Sequence, residues 1–389
     1  MKTADRMQGV HRSYIREILK VTARPEIISF AGGLPHPDSF PADRVAAAAA
    51  KVFAEEGPSA LQYSTTEGYA PLRKWIADRY ARQGLTVSPD DILITTGSQQ
   101  ALDMAGRAML NRGDAVVIER PGYLGAIQCF SMYGADFKPV NLLASGVDTD
   151  MLDEVLERTG AKVFYAVPSF QNPSGISYDA PTRRKVAELM ARHECVLIED
   201  NPYGELRFIG EDVPPVRCHM QTPSILLGSF SKMVAPGMRL GWIYAPDGLM
   251  DSLVRAKQAS DLHTATLTQS ILYRYLADND VDAHIASIRD RYKRHRDIMV
   301  ASIREHFPEE VATTDPEGGM FLWCTLPAKV SAEEVFKEAI KNNVAFVPGK
   351  PFYVDGTDNT FRLNFSNASP EKIEEGIARL GKCLRHCLS

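Results

Sequence analysis

Lys232 stands in the segment Gly228-Ser-Phe-Ser-Lys232, directly ahead of Met233-Val-Ala-Pro-Gly-Met-Arg239. A lysine flanked by small and apolar residues can be desolvated. Its ammonium pKa then falls, and the free amine can form a Schiff base with a carbonyl carbon. A surface lysine that snorkels past apolar neighbours has the same local signature. Asp200 closes the apolar run Cys195–Glu199 and is followed by Asn201-Pro202-Tyr203. A carboxylate at the tip of a buried strand is costly without a partner, which a protonated ring nitrogen would supply; a cap or turn aspartate is the plainer reading. Thr96-Gly97-Ser98-Gln99-Gln100 joins a strand pattern to a helix pattern. Such a glycine turn can hold an anion on free backbone N–H groups and the helix dipole, or Ser98 can simply cap the helix. Tyr123, in Arg120-Pro-Gly-Tyr123, can lie against a planar ligand or be a partly buried loop tyrosine. Asn172 sits in an Asn-Pro-x-Gly turn signal and can donate a side-chain hydrogen bond.

These groups share a position: each comes after a short apolar run. Candidate strands cover Ile92–Thr95, Ala115–Glu119, Lys162–Val167, Cys195–Glu199, Ser224–Leu227 and Leu240–Tyr244, with helical patterns such as Gln99–Leu110 and Pro181–His193 between most of them. The alanine-rich stretch Val45–Glu56 is an ordinary helix pattern. Apolar strands alternating with helices indicate an α/β fold, a three-layer, mostly parallel sheet covered on both faces. Ligands bind such sheets where loops leave the carboxyl ends of the strands. The anion turn, the tyrosine, the asparagine, the carboxylate and the lysine together suit one cofactor bearing a phosphate, a pyridine ring and an aldehyde. Farther on, Asp280–Phe307 is one long charged helix. A strand at Met320–Thr325, a helix at Ser331–Asn342, strands near Val344–Pro348 and Thr360–Phe365 and a last helix at Pro370–Arg385 make a smaller α+β unit. We expect residues 1–45 to form an N-terminal arm and part of the small domain, 46–275 the large domain and 276–389 the small C-terminal domain.

Composition narrows the partners. A chain of 389 residues with 44% hydrophobic residues buries a large core without disulfides or structural metals. Its net charge of -5 gives no electrostatic case for nucleic acid. The six cysteines include no Cys-x-x-Cys pair. Cys195 and Cys324 lie in apolar runs as small hydrophobes. Cys383 and Cys387 share one helix face but are too few ligands for a metal, so no metal is expected. Scattered cysteines suit a reducing compartment. The first residues have no apolar signal core and no run is long enough to span a bilayer. A cytoplasmic protein is the expectation.

The chain resembles the class I/II aminotransferases of the pyridoxal-phosphate fold-type I superfamily, and within them the 2-aminoadipate aminotransferase group, whose relatives include kynurenine and valine–pyruvate aminotransferases. The match spans nearly the whole chain. Its carriers are Ser29-Phe-Ala-Gly-Gly-Leu-Pro35, Gln62-Tyr-Ser-Thr-Thr-Glu-Gly-Tyr69, Thr95-Thr-Gly-Ser-Gln-Gln-Ala-Leu102, Pro168-Ser-Phe-Gln-Asn-Pro-Ser-Gly175, Glu199-Asp-Asn-Pro-Tyr203, Gly228-Ser-Phe-Ser-Lys232 with its downstream Pro-Gly-x-Arg, and Phe361-Arg-Leu-Asn-Phe365. The resemblance implies pyridoxal 5'-phosphate as cofactor. It implies that Lys232 holds the aldehyde and shuttles a proton, that Asp200 pairs with the pyridine nitrogen, and that Tyr123 stacks on the ring. Asn172 and Tyr203 would hydrogen-bond the phenolic oxygen. Ser98, Gln99, Ser229, Ser231 and Arg239 would hold the phosphate, and Tyr63 would reach it from the partner subunit of a homodimer with shared active sites. Arg362 would take the substrate α-carboxylate, and Gly33 would let the backbone approach the substrate closely.

The implied reaction is ping-pong: an amino acid gives up its amine and leaves as a 2-oxo acid, and a second oxo acid, 2-oxoglutarate, collects it. Ser13-Tyr-Ile-Arg-Glu-Ile-Leu-Lys20 matches the helix that in the aminoadipate group carries an arginine for the distal carboxylate. That arginine would be Arg16; a solvated helix charge is the plainer reading. The expected donors are 2-aminoadipate or a broad range including glutamate, leucine and aromatic amino acids. The same scaffold supports lyases and decarboxylases, but Arg362 would grip the carboxylate that a decarboxylase must release. A regulatory domain that senses the cofactor is a third reading. Because the match begins almost at Met1, a fused DNA-binding module is not expected.

Overall fold

The computed structural model describes residues 4–7, 18, 24–246 and 248–388. Arg16 and nearly all of the helix expected around it lie outside the described residues. The central sheet has eight strands in the order Ile92–Thr95, Gly241–Tyr244, Ser224–Ser229, Val196–Asp200, Val163–Ala166, Ala115–Arg120, Asp136–Leu143 and Gly146–Val147. Five of them, from Ser224–Ser229 through Asp136–Leu143, run parallel. Every residue of Val163–Ala166 and Ser224–Ser229 is buried. Helices cover both faces, and the three-layer, mostly parallel α/β expectation holds.

Local chemistry sets the helix ends. Asp148 caps Thr149–Thr159 by accepting from Met151 N, and Gly160 closes that helix in the left-handed region, where glycine meets no Cβ penalty. Asp280 caps the 26-residue helix Val281–His306 through Ala283 N. At 1.5 Å per residue it spans about 39 Å. Its buried residues Ile285, Ile288, Tyr292, His295, Met299 and Ile303 recur every three or four positions and make one apolar stripe. Most expected elements begin or end within a residue or two of the observed ones. Asp200 is one difference: it is the last residue of its strand, Val196–Asp200, rather than the first after it.

Two features aim the site. Gly241–Tyr244 runs antiparallel to both neighbours, with Gly241 beside Thr95 and Ser229. It therefore starts at the edge where its neighbours finish, which delivers Arg239 to the same edge as Thr96 and Ser229. A second sheet of four antiparallel strands has Thr360–Asn364 between Phe321–Thr325 and Val347–Pro348. Side chains alternate along a strand, so Phe361 turns to Phe307 and Phe346 while Arg362 turns the other way. The segment from Ile28 is bound alongside: Ile28–Ser29 pairs with Val344–Ala345, and Asn364 N donates to Phe30 O at 2.9 Å. That pairing carries Gly33 in front of the large sheet.

Candidate active site

The carboxyl edge of the large sheet, the 31–35 segment and the Arg362 strand enclose a cavity of about 440 Å³. Gly33, Ser98, Gln99, Tyr123, Asn172, Asp200, Tyr203, Ser229, Ser231, Lys232, Arg239 and Arg362 all line it. Twelve of the fourteen residues singled out from the sequence thus face one space. Tyr63 does not: it is 81% exposed, with its ring edge-on to His263 at 5.8 Å. Arg16 is the other exception, outside the described residues.

Lys232 Nζ donates to Gly33 O at 2.8 Å. Burial, reinforced by the positive charges of Arg362 and Arg239, pulls its pKa down to about 8, so a useful fraction of the amine is neutral near physiological pH. Asp200 is buried, and Tyr165 Oη donates to its Oδ2 at 2.8 Å. Its Oδ1 is also buried and has no partner among the described residues. Burial pushes the carboxyl up to about 7, against the Tyr165 hydrogen bond. Tyr123 and Tyr203 are likewise raised, chiefly by burial, Tyr123 to about 12.

Arg362 is 1% exposed. It donates to Asn172 Oδ1 at 2.7 Å and to Ala31 O at 2.8 Å, and its guanidinium lies over the rings of Phe321 and Phe352. Its Nε is buried without a partner, and among the described residues no carboxylate pairs with it. Burial draws its pKa down to about 10. A buried, charged fork without a counter-ion favours an incoming carboxylate.

At the other end of the cavity the helix Ser98–Met109 starts behind Gly97, with no side chain capping it. The cap reading of Ser98 is therefore corrected: Gly97 occupies the cap position and Ser98 is the first helical residue. The first N–H groups are left to a ligand. Gly97 has φ 76° and ψ 166°, a region only glycine occupies freely. A Cβ there would come within 2.6 Å of Arg239 Nη2. Arg239 itself adopts φ 53°, the left-handed region that a side chain disfavours. Strain of this kind persists where the surroundings enforce it, commonly at ligand sites.

These features fit pyridoxal phosphate. The orphaned Asp200 Oδ1 lacks only a hydrogen-bond donor, the uncapped helix start with Arg239 suits a phosphate, and the partly neutral lysine suits an aldehyde. The family model for "Aminotransferase class I and II" matches residues 26–380. The chain is a class I and II aminotransferase. The aminotransferase is 42% identical to the 2-aminoadipate transaminase of Thermus thermophilus, over 100% of this chain and 97% of the relative. It is 40% identical to aromatic-amino-acid aminotransferase 1 of Thermococcus litoralis, over 98% of this chain and 94% of the relative. Among solved structures it is similar to LysN, the alpha-aminoadipate aminotransferase of Thermus thermophilus in complex with N-(5'-phosphopyridoxyl)-L-leucine. That likeness has a TM-score of 0.93 at 40% identity and covers 99% of this chain and 98% of the other. The cofactor is pyridoxal phosphate.

Tyr165 is the site residue that sequence reasoning missed. It sits inside the strand Val163–Ala166 and is fully buried. A tyrosine in mid-strand was itself the available signal, since a buried phenol needs a hydrogen-bond partner.

Proposed function

We propose that this aminotransferase moves the amino group of an L-amino acid to 2-oxoglutarate in two half-reactions, the first oxo acid leaving before the second enters. The observation that carries this reading is Arg362, buried without a counter-carboxylate among the described residues, in the same cavity as the Lys232 amine. Bound pyridoxal phosphate supplies the aldehyde for the incoming amine and an electron sink for the charge left at Cα. The chain supplies the rest. Arg362 takes the α-carboxylate and so orients the substrate, and Gly33 allows close backbone approach. Lys232 Nζ would hold the aldehyde between turnovers and move the proton at Cα. Asp200 Oδ1 would accept a hydrogen bond from the ring nitrogen, Tyr123 would cover the ring, and Asn172 and Tyr203 would hydrogen-bond the phenolic oxygen. Ser98, Gln99, Ser229, Ser231 and Arg239 would hold the phosphate. Tyr63 completes that cradle from the partner subunit of a homodimer, a role supported by its exposure away from its own cavity. Residues 46–275 form the large domain, with 1–45 and 276–389 making up the arm and small domain. Six scattered cysteines, all free thiols, support a reducing, cytoplasmic location.

The substrates named for the two relatives, and the leucine derivative held by the Thermus enzyme, support 2-aminoadipate or a broad donor range including leucine, aromatic amino acids and glutamate. Arg16 is the proposed contact for a distal carboxylate. The grip of Arg362 on the α-carboxylate disfavours decarboxylation. Incubation with 2-aminoadipate and 2-oxoglutarate tests the reading: we expect 2-oxoadipate and glutamate in equal amounts, and carbon dioxide release or no glutamate contradicts it. Arg16→Ala should lose 2-aminoadipate more than leucine; equal losses would remove Arg16 from the account.

A further inference from the structure

Lys257, on the helix Leu249–Gln258, lines no part of the catalytic cavity, yet its side chain is 0% exposed. Burying an ammonium is costly unless it is paired and fully hydrogen-bonded. Here all three of its protons have acceptors: Gln100 Oε1 at 2.7 Å, Asp261 Oδ2 at 2.9 Å and Thr264 Oγ1 at 2.8 Å. Burial alone would raise the Asp261 carboxyl, but hydrogen bonds from Lys257, Gln100 and Thr96 outweigh it and hold it below the usual carboxylate range.

The cluster leads to one place. Gln100 Oε1 also accepts from Thr96 N at 2.8 Å, and Gln100 Nε2 donates to Asp261 Oδ2 at 2.7 Å. Thr96 Oγ1 donates to the same Asp261 oxygen at 3.2 Å, and Thr264 Oγ1 donates to Ile94 O at 3.3 Å. The strand end and the N–H of Thr96 are thus held from behind, immediately before the strained Gly97 and the uncapped helix start at Ser98. A turn in a glycine-only conformation keeps its shape only if its flanks are fixed. This cluster fixes one of them.

We propose that Lys257 is a positioning residue for the cofactor phosphate. Through Asp261 and Gln100 it holds the Thr96–Ser98 turn in the shape that presents its N–H groups to the phosphate. The inference rests on the reading of Ser98 and Gln99 as phosphate ligands. Its discriminating ligand is pyridoxal, which shares the ring and aldehyde of pyridoxal phosphate but lacks the phosphate.

The test titrates apo full-length protein with each compound in phosphate-free buffer, for the native chain, Lys257→Met, Gln100→Leu and Arg239→Met. We expect Lys257→Met and Gln100→Leu to weaken pyridoxal phosphate by about tenfold, the order of one hydrogen bond to a charged group, and to leave pyridoxal unchanged. Parallel weakening of both compounds, or of neither, overturns the proposal and leaves the cluster as fold support. Gln100→Leu retains the Lys257–Asp261 pair, so it decides alone should Lys257→Met fail to fold. Arg239→Met separates the two levels. If it also fails to distinguish the compounds, the phosphate assignment itself falls; if it alone distinguishes them, only the role of Lys257 falls.

Discussion

Replacing Asp200 by asparagine isolates the cost of holding that carboxyl in place before the cofactor arrives. Burial keeps the folded carboxyl at about 7 against an ordinary 3.8, a difference of about 4 kcal/mol between its two protonation states. Between those two values the unfolded chain has released the proton and the folded chain still holds it. The group therefore contributes stability that is fully present below about pH 4 and is lost as pH rises through about 7. Asparagine keeps an acceptor for Tyr165 Oη and has no proton to lose. In the apoenzyme, the stability of Asp200→Asn relative to the native chain should climb by about 1.4 kcal/mol per pH unit between about pH 5 and pH 6.5, then level off above about pH 7. Urea unfolding of both apoproteins over that range measures the difference, and charges common to both cancel. Added pyridoxal phosphate should stabilise the native chain more than the variant, because only the native carboxylate gains an ionic partner in the ring N–H. A difference that stays constant from pH 5 to pH 8 would refute the argument that Asp200 is a desolvated carboxyl waiting for that proton.

The geometry sets three further outcomes. Arg362→Lys keeps the charge but loses the planar fork held between Phe321 and Phe352; kcat/KM for the amino donor should fall by about tenfold to a hundredfold, the worth of one charge-assisted bond, and unchanged steady-state kinetics would exclude it from carboxylate binding. Tyr165→Phe removes the only protein donor to Asp200 among the described residues, so a fluorescence titration should show about tenfold weaker cofactor binding, whereas native affinity would make that bond incidental. Tyr63→Ala and Lys232→Ala chains, each inactive alone, should regain activity when unfolded and refolded together, since a mixed dimer has one site with both native residues; a mixture that stays inactive would argue against a shared site.

The strand-end residues were legible because a parallel sheet sends every carboxyl end to one edge. Asn172, Asp200 and Lys232 could be found by asking which residues come just after each apolar run. Arg239 was not open to that argument, since its strand runs antiparallel and the arginine precedes it; only the resemblance pointed there. The strand Asp136–Leu143 escaped notice because Lys138, Pro139 and Asn141 break its apolar pattern. It tolerates the proline because it pairs fully with Ala115–Arg120 but on its other side only at Leu142 and Leu143, so one edge is largely free of ladder bonds. Cys195 and Cys324 are buried as expected, apolar context being enough to place them. Lys257 looked like any helix lysine after Arg255 and Ala256. Its burial depends on Gln100 and Thr264, which the fold brings to it and no local pattern announces. Tyr165 did carry a signal, a phenol in mid-strand, but its partner Asp200 lies on the neighbouring strand, which no local pattern announces.

On the proposed function, Lys232 and pyridoxal phosphate together carry amine transfer in this cavity. The most direct test is the visible absorbance of the purified holoenzyme and of Lys232→Ala, each monitored as 2-aminoadipate and then 2-oxoglutarate are added. We expect the native protein's visible band to be lost with 2-aminoadipate and to return with 2-oxoglutarate, while the variant retains cofactor weakly and shows negligible turnover. A Lys232→Ala protein that cycles like the native one would contradict it.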